Sequence, residues 1–142
     1  MTVKLKKLYD NAQLPTYAKE GDAGMDIRSY SGGLHINLMP NETRMISCGF
    51  ALEIPHGYFG SVRERSGLAS TGIRLGGGVI DSGYRGEVKV ILTNLSSSVY
   101  TFFHGDKIAQ IIIQPCERAE LVEVEELGES ERGDAGFGST GA

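Results

Sequence analysis

The chain has 142 residues, 40% of them hydrophobic and 23% charged, with a formal net charge of −4. That is enough for one domain with an ordinary buried core. The acidic balance argues against a broad nucleic-acid surface, so any bound nucleotide must be met by local cations against an unfavourable overall field. No run approaches membrane-spanning length, and Met1-Thr2-Val3-Lys4-Leu5-Lys6-Lys7 lacks the apolar core of a signal peptide. A cytoplasmic protein is therefore expected. His35, His56 and His104 show no zinc-like spacing. Cys48 and Cys116 sit singly in apolar runs, where reduced, buried thiols are expected.

Helical periodicity is almost absent, and short apolar blocks alternate with Gly, Pro, Asn and Ser. Val3-Lys4-Leu5-Lys6 begins a first strand. Asp26 lies on another, within Ala23-Gly24-Met25-Asp26-Ile27. A longer strand is expected over 45–54, and after the turn Pro55-His56-Gly57 comes one over 58–63. A helical turn or two is expected around Ser66 to Ser70. Strands follow over 87–93, 107–113 and 119–124. The 87–93 and 107–113 runs are nearly continuous in apolar residues, which points to cover on both faces, from a second sheet or another subunit. Turn signals at sandwich-like spacing give an all-β fold, a jelly-roll-like β-sandwich or barrel with minimal helix. Residues 1–127 form its core, and 128–142 a glycine-rich C-terminal arm.

Five blocks carry groups with chemical potential. Asp26, between apolar neighbours, needs an ion partner such as Arg28 or a metal. Arg65-Ser66-Gly67-Leu68-Ala69 joins a strand end to a helix start. It reads either as a phosphate cradle of amides, hydroxyl and guanidinium, or as an N-cap serine beside a surface arginine. Gly76-Gly77-Gly78-Val79-Ile80-Asp81-Ser82-Gly83-Tyr84-Arg85-Gly86 reads as a glycine hairpin that lets backbone approach a flat base. Asp81 and Tyr84 bracket its turn, unless Asp81 merely caps it and Tyr84 fills a core edge. Gln110 is an amide in an apolar run and must find a partner, ligand or backbone. Arg132-Gly133-Asp134-Ala135-Gly136-Phe137-Gly138-Ser139-Thr140-Gly141 offers a cation, a ring, two hydroxyls and glycine amides, without enough apolar residues to anchor itself.

In this order and spacing, over residues 22–141, the five blocks resemble the five motifs of the homotrimeric dUTP pyrophosphatase (dUTPase) family. The resemblance implies a homotrimer of jelly-roll subunits with active sites shared between chains. It implies hydrolysis of dUTP to dUMP and pyrophosphate, assisted by Mg2+, with no nucleic acid or membrane partner. Asp81 would orient and deprotonate the attacking water. Gly76, Gly78, Val79 and Ile80 would lie along the uracil, and Tyr84 would stack under the deoxyribose. Arg65, Ser66, Gly67 and Gln110 would meet the phosphates, and Asp26 would anchor magnesium through a bound water. Arg132, Phe137, Gly138, Ser139 and Thr140 would close over the site.

Three departures stand out. Glu64 replaces a usual proline, making the approach to the cradle less rigid and more acidic. Met25 stands where a tyrosine or branched residue is frequent. The 70–75 loop is on the short side. A dCTP deaminase shares this fold, but its proton-transferring glutamate would fall at about Ile91, which cannot move a proton. A non-catalytic nucleotide-binding regulator would be marked by loss of Asp81 or of the tail, and both are present.

Overall fold

Alternating apolar residues in short blocks bury one face per strand, and two such faces close on each other as a sandwich. The computed structural model describes residues 1–134. In chain order the elements are β1 (Lys4–Lys7), β2 (Met25–Arg28), β3 (Ile36–Leu38), β4 (Thr43–Glu53), β5 (Tyr58–Arg63), α1 (Ser66–Ala69), β6 (Ile73–Gly76), β7 (Val79–Ile80), β8 (Glu87–Asn94), β9 (Tyr100–Phe102) and β10 (Lys107–Pro115). One sheet has the order β1-β4-β8-β6, the second β2-β10-β5-β7, and β3 and β9 form a two-stranded ribbon. Among the described residues no helix is long and apolar enough to cross a membrane.

The core lies between the two sheets. Ile46, Cys48, Phe50, Leu52, Ile73, Val88, Val90 and Leu92 enter from the first; Ile27, Val62, Ile108, Ala109 and Ile111 enter from the second. The ribbon adds Leu38 and Phe102. Each large apolar side chain so buried contributes about 1.5–3 kcal/mol of transfer free energy. Asn94 is fully buried at the end of β8 and is satisfied by its own bonds. Its Nδ2 donates to the carbonyls of Leu38 at 2.9 Å and Ser98 at 2.8 Å, which ties the ribbon to the first sheet.

In β8, Val88, Val90 and Leu92 point inward, Lys89 is exposed and Ile91 is half-buried and points outward. Within the chain the second sheet covers one face, which leaves the outer face for the other expected cover, another subunit. Two expectations need correction. No strand forms over 119–124: β10 is the last strand among the described residues, and Leu121 and Leu127 are 93% and 89% exposed. The segment has a strand-like pattern but pairs with none of the open edges of its own chain, and a strand needs a ladder partner. Cys116 is exposed, where a buried thiol was expected. Cys48 is buried, and desolvation followed by repulsion from the Glu87 carboxylate pushes its thiol up to about 12. It therefore stays protonated and packs as a small hydrophobe.

Candidate active site

The outer face of the second sheet carries a cleft of about 330 Å3 lined by Asp26, Arg65, Ser66, Gly67, Lys107 and Gln110, with Gly24 among its neighbours. Register explains the convergence. Asp26 on β2 faces Gln110 on β10, and Gln110 faces Arg63 at the end of β5, directly before the turn into α1. Ile27, beside Asp26, points inward and is fully buried, so the carboxylate points out. It finds two cations: Arg65 Nε at 3.1 Å and Lys107 Nζ at 2.5 Å. The expected partner Arg28 instead donates to the Gly105 carbonyl at 2.8 Å.

Arg65, not Ser66, holds the N-cap position of α1, and no side-chain bond caps the helix. The N-cap serine alternative is therefore not realised. The first helical amides, on Ser66 and Gly67, have no intrahelical acceptor and border the cleft. One donor of the Gln110 amide goes to backbone, since its Nε2 donates to the Glu64 carbonyl at 2.9 Å, and the side chain still lines the cleft. A Cβ on Gly24 would lie 2.5 Å from Gln110 Oε1, so glycine is needed for this close approach.

The glycine-rich block is not a simple hairpin. Gly76 ends β6 in the first sheet, while Val79 and Ile80 form β7 in the second, so Gly77 and Gly78 carry the chain from one sheet to the other. Their φ values of 71° and 118° are costly for other residues, and a Cβ on Gly78 would meet the Val62 carbonyl at 2.8 Å. The N–H of the same residue, Val62, donates to the Gly78 carbonyl at 2.7 Å.

Beyond the crossover, Asp81 and Tyr84 close a turn through Tyr84 N–H to the Asp81 carbonyl at 3.1 Å. Both line a depression of about 220 Å3 together with Val79, Ile80, Met45, Lys89 and Ile91. Val79 is 65% and Met45 59% exposed there. The Tyr84 hydroxyl donates to the Glu87 carbonyl at 3.0 Å, folding the ring back over the chain. Gly86 makes room for it, because a Cβ would stand 2.6 Å from Tyr84 Cζ. Tyr84 is thus an exposed, positioned ring and not a core filler.

Met45, Lys89 and Ile91 lie on the outward side of β4 and β8, because Ile46, Val88, Val90 and Leu92 point inward. The depression therefore lies between the outward side of β4 and β8 and the β7 edge of the second sheet, while the Asp26 cleft lies over β2 and β10. The two share no lining residue.

The dUTPase family profile matches residues 10–141. The chain belongs to the dUTPase family. It is similar to the deoxyuridine 5'-triphosphate nucleotidohydrolase of Anaeromyxobacter sp., 46% identical over 147 residues, covering 99% of this chain and 98% of that protein. The enzyme of the same name from Clostridium kluyveri is 44% identical, with 99% of each chain covered. Among solved structures, a mutant dUTPase of Staphylococcus bacteriophage 80alpha with dUpNHpp superposes with a TM-score of 0.91 at 31% identity, covering 99% of both chains.

Within this dUTPase-family chain, sequence reasoning missed three contributors. Lys107 shares Asp26 with Arg65; its signal was the β10 register, invisible without the pairing. Gly24 and Gly86 were recognised as motif letters, while their steric roles emerge only from what a Cβ would strike. Glu64 was expected to make the cradle more acidic. Its carboxylate turns away from the cleft instead, pairing with Arg74 Nε at 3.1 Å and accepting from Leu75 N–H at 3.0 Å. The 70–75 segment is likewise no loose loop, since β6 begins at Ile73 and pairs with β8. Met25 packs half-buried against the core.

Among the described residues no three of His, Cys, Asp and Glu converge to hold a metal ion directly. Both carboxylate oxygens of Asp26 are engaged, by Arg65 Nε and Lys107 Nζ, so a metal ion meeting Asp26 would do so through its own water. That suits magnesium, which sheds hydration reluctantly and is commonly held by few carboxylates plus substrate phosphates. Arg132 is described and exposed. The expected site residues Phe137, Gly138, Ser139 and Thr140 lie outside the described residues.

Proposed function

We propose that the protein hydrolyses dUTP to dUMP and pyrophosphate at sites shared between the chains of a homotrimer, in the cytoplasm. One observation supports the shared site above others: the two halves of the constellation line separate recesses of the chain with no residue in common. A single nucleotide needs cations for its phosphates and a pocket for its base, and one chain cannot wrap both around it. A second chain brings its depression to the first chain's cleft. Apolar surface at Met45, Val79, Leu121, Val122 and Leu127, exposed on one chain, would be covered in such an assembly.

Uracil lies along the Gly76–Gly78 crossover and Val79-Ile80, where backbone groups read its edge and crowding rejects a 5-methyl group. The deoxyribose stacks on Tyr84, whose position leaves no room for a 2'-hydroxyl. Arg65, the Ser66 and Gly67 amides and Gln110 hold the phosphate chain. Asp81 takes a proton from the attacking water as its oxygen bonds to the α-phosphorus. The bond from the α-phosphorus to the bridging oxygen then breaks, and pyrophosphate leaves with its electron pair. Magnesium, held by Asp26 through its water shell, would supply charge neutralisation along the triphosphate. The 128–142 arm closes over the nucleotide, with Arg132 toward the terminal phosphates and Phe137 over the base. Its glycines permit reopening for product release. Catalysis is then chiefly positioning and charge stabilisation. A deaminase reading is disfavoured because Ile91, on the wall of the depression, has no proton to transfer.

The decisive assay is pyrophosphate release from dUTP, dCTP, dTTP and UTP, with and without magnesium. Only dUTP should be cleaved efficiently, and equal rates on dUTP and dTTP would remove the uracil-pocket assignment. A related variant probes the sugar. Gly86→Ala places a methyl group against the Tyr84 ring and should swing it off the Glu87 carbonyl. Discrimination between dUTP and UTP should fall by about tenfold, measured as the ratio of kcat/KM values.

A further inference from the structure

Glu64 is the residue at which the chain leaves β5 of the second sheet, yet its side chain reaches an edge strand of the first. Its main chain is fixed from below, because Gln110 Nε2 donates to its carbonyl at 2.9 Å. Its Oε1 accepts the Leu75 N–H at 3.0 Å and pairs with Arg74 Nε at 3.1 Å. Leu75 sits on the outer edge of β6, where an amide pointing away from β8 has no strand to bond. It is also the last residue before Gly76-Gly77-Gly78, and its Cδ2 lies 3.5 Å from where a Cβ on Gly78 would be. The turn itself is held from the other side by Val62 N–H on the Gly78 carbonyl.

We infer that Glu64 is a positioning residue for the base pocket: its carboxylate clamps the Leu75 amide and so fixes the height of the glycine crossover over which the base must fit. This rests on the proposed dUTP reading of the crossover. The side chain reaches from the end of β5 in the second sheet to the edge strand β6 of the first, and its Oε1 supplies the acceptor that the Leu75 amide lacks in the ladder. Arg74 neutralises the charge at a half-exposed position, where an ion pair by itself contributes little. The geometry assigns the work to the acceptor and its reach, with the net charge secondary.

Two variants separate these quantities. Glu64→Asp keeps the charge and loses one methylene of reach, whereas Glu64→Gln keeps the reach and an acceptor oxygen but loses the charge. Both are mild changes at a partly exposed position, and thermal unfolding confirms the folded state of each. The readout is kcat and KM on dUTP and dTTP separately. In Glu64→Asp, KM for dUTP should rise by about tenfold with kcat little changed, and the dTTP-to-dUTP ratio of kcat/KM should rise by about fivefold. Glu64→Gln should stay within about twofold of the parent on both measures. Arg74→Ala, which removes only the ion pair, should resemble Glu64→Gln. The inference is overturned if Glu64→Gln is as impaired as Glu64→Asp, or if Glu64→Asp loses activity on both nucleotides alike, or if neither variant differs from the parent. A parent protein that does not cleave dUTP at all overturns the proposed function instead, so the two failures are distinguishable.

Discussion

Asp81→Asn is expected to abolish dUTP hydrolysis while leaving dUTP binding nearly intact. Asparagine has the same shape, and the turn that presents residue 81 is closed by its carbonyl, which accepts Tyr84 N–H at 3.1 Å. That bond does not depend on the side chain. Asp81 is exposed in the depression beside Tyr84, so its carboxylate is accessible to a water and the substitution costs little stability. What is lost is the proton acceptor, and general-base catalysis is commonly worth about 10^2–10^4 in rate. Pyrophosphate release and equilibrium binding of dUTP, measured on the same preparation, check the two halves of the expectation. Normal turnover would show that Asp81 is not the base.

Arg65→Ala is expected to lower kcat/KM for dUTP by roughly 10^2–10^3, with the loss of one buried-side charge contact near about 3 kcal/mol. Arg65 lies between the Asp26 carboxylate at 3.1 Å and the Lys107 carbonyl at 3.2 Å. Its removal leaves Asp26 facing the triphosphate with Lys107 as its only cation partner, so electrostatics in the cleft turn less favourable twice over. The defect should appear in KM as well as kcat, because in the proposed site the guanidinium would meet the phosphates in both ground and transition states.

These two inactive variants also test the shared site. Asp81 and Arg65 line separate recesses of one chain, so in the proposed shared site a mixed trimer would pair Arg65 from an Asp81→Asn chain with Asp81 from an Arg65→Ala chain. About one site in three of every mixed trimer should then be intact. Co-refolding the two variants should restore activity that neither has alone. No recovery in trimers shown to be mixed would place both residues in one chain's site.

Much of the site was legible in the sequence because its chemistry is concentrated in short contiguous blocks. Arg65-Ser66-Gly67 and Asp81 through Tyr84 each lie on one turn, so neighbours in sequence are neighbours in space. The longer strands were legible for a similar reason: β4, β5, β8 and β10 carry enough apolar residues to show their period. Strands β3, β6, β7 and β9 have two to four residues each, too few for a pattern to emerge from its flanks. The 119–124 segment failed in the opposite direction, since it has a strand-like pattern yet joins no sheet of its own chain.

The sequence by itself determined the β-rich class, the order of the five blocks, and the presence of a carboxylate, a tyrosine and an arginine at glycine-flanked turns. Those are properties of local composition, where side-chain type and spacing act over a few residues. Only the tertiary structure decided that Asp26 answers to Arg65 and Lys107 instead of Arg28, because strand register, not proximity in sequence, brings charges together. Only it turned the Glu64 carboxylate toward Leu75 and away from the cleft. And only packing of one sheet on the other made the cleft and the depression separate recesses, since which side of a strand faces water is fixed by what the other side must bury.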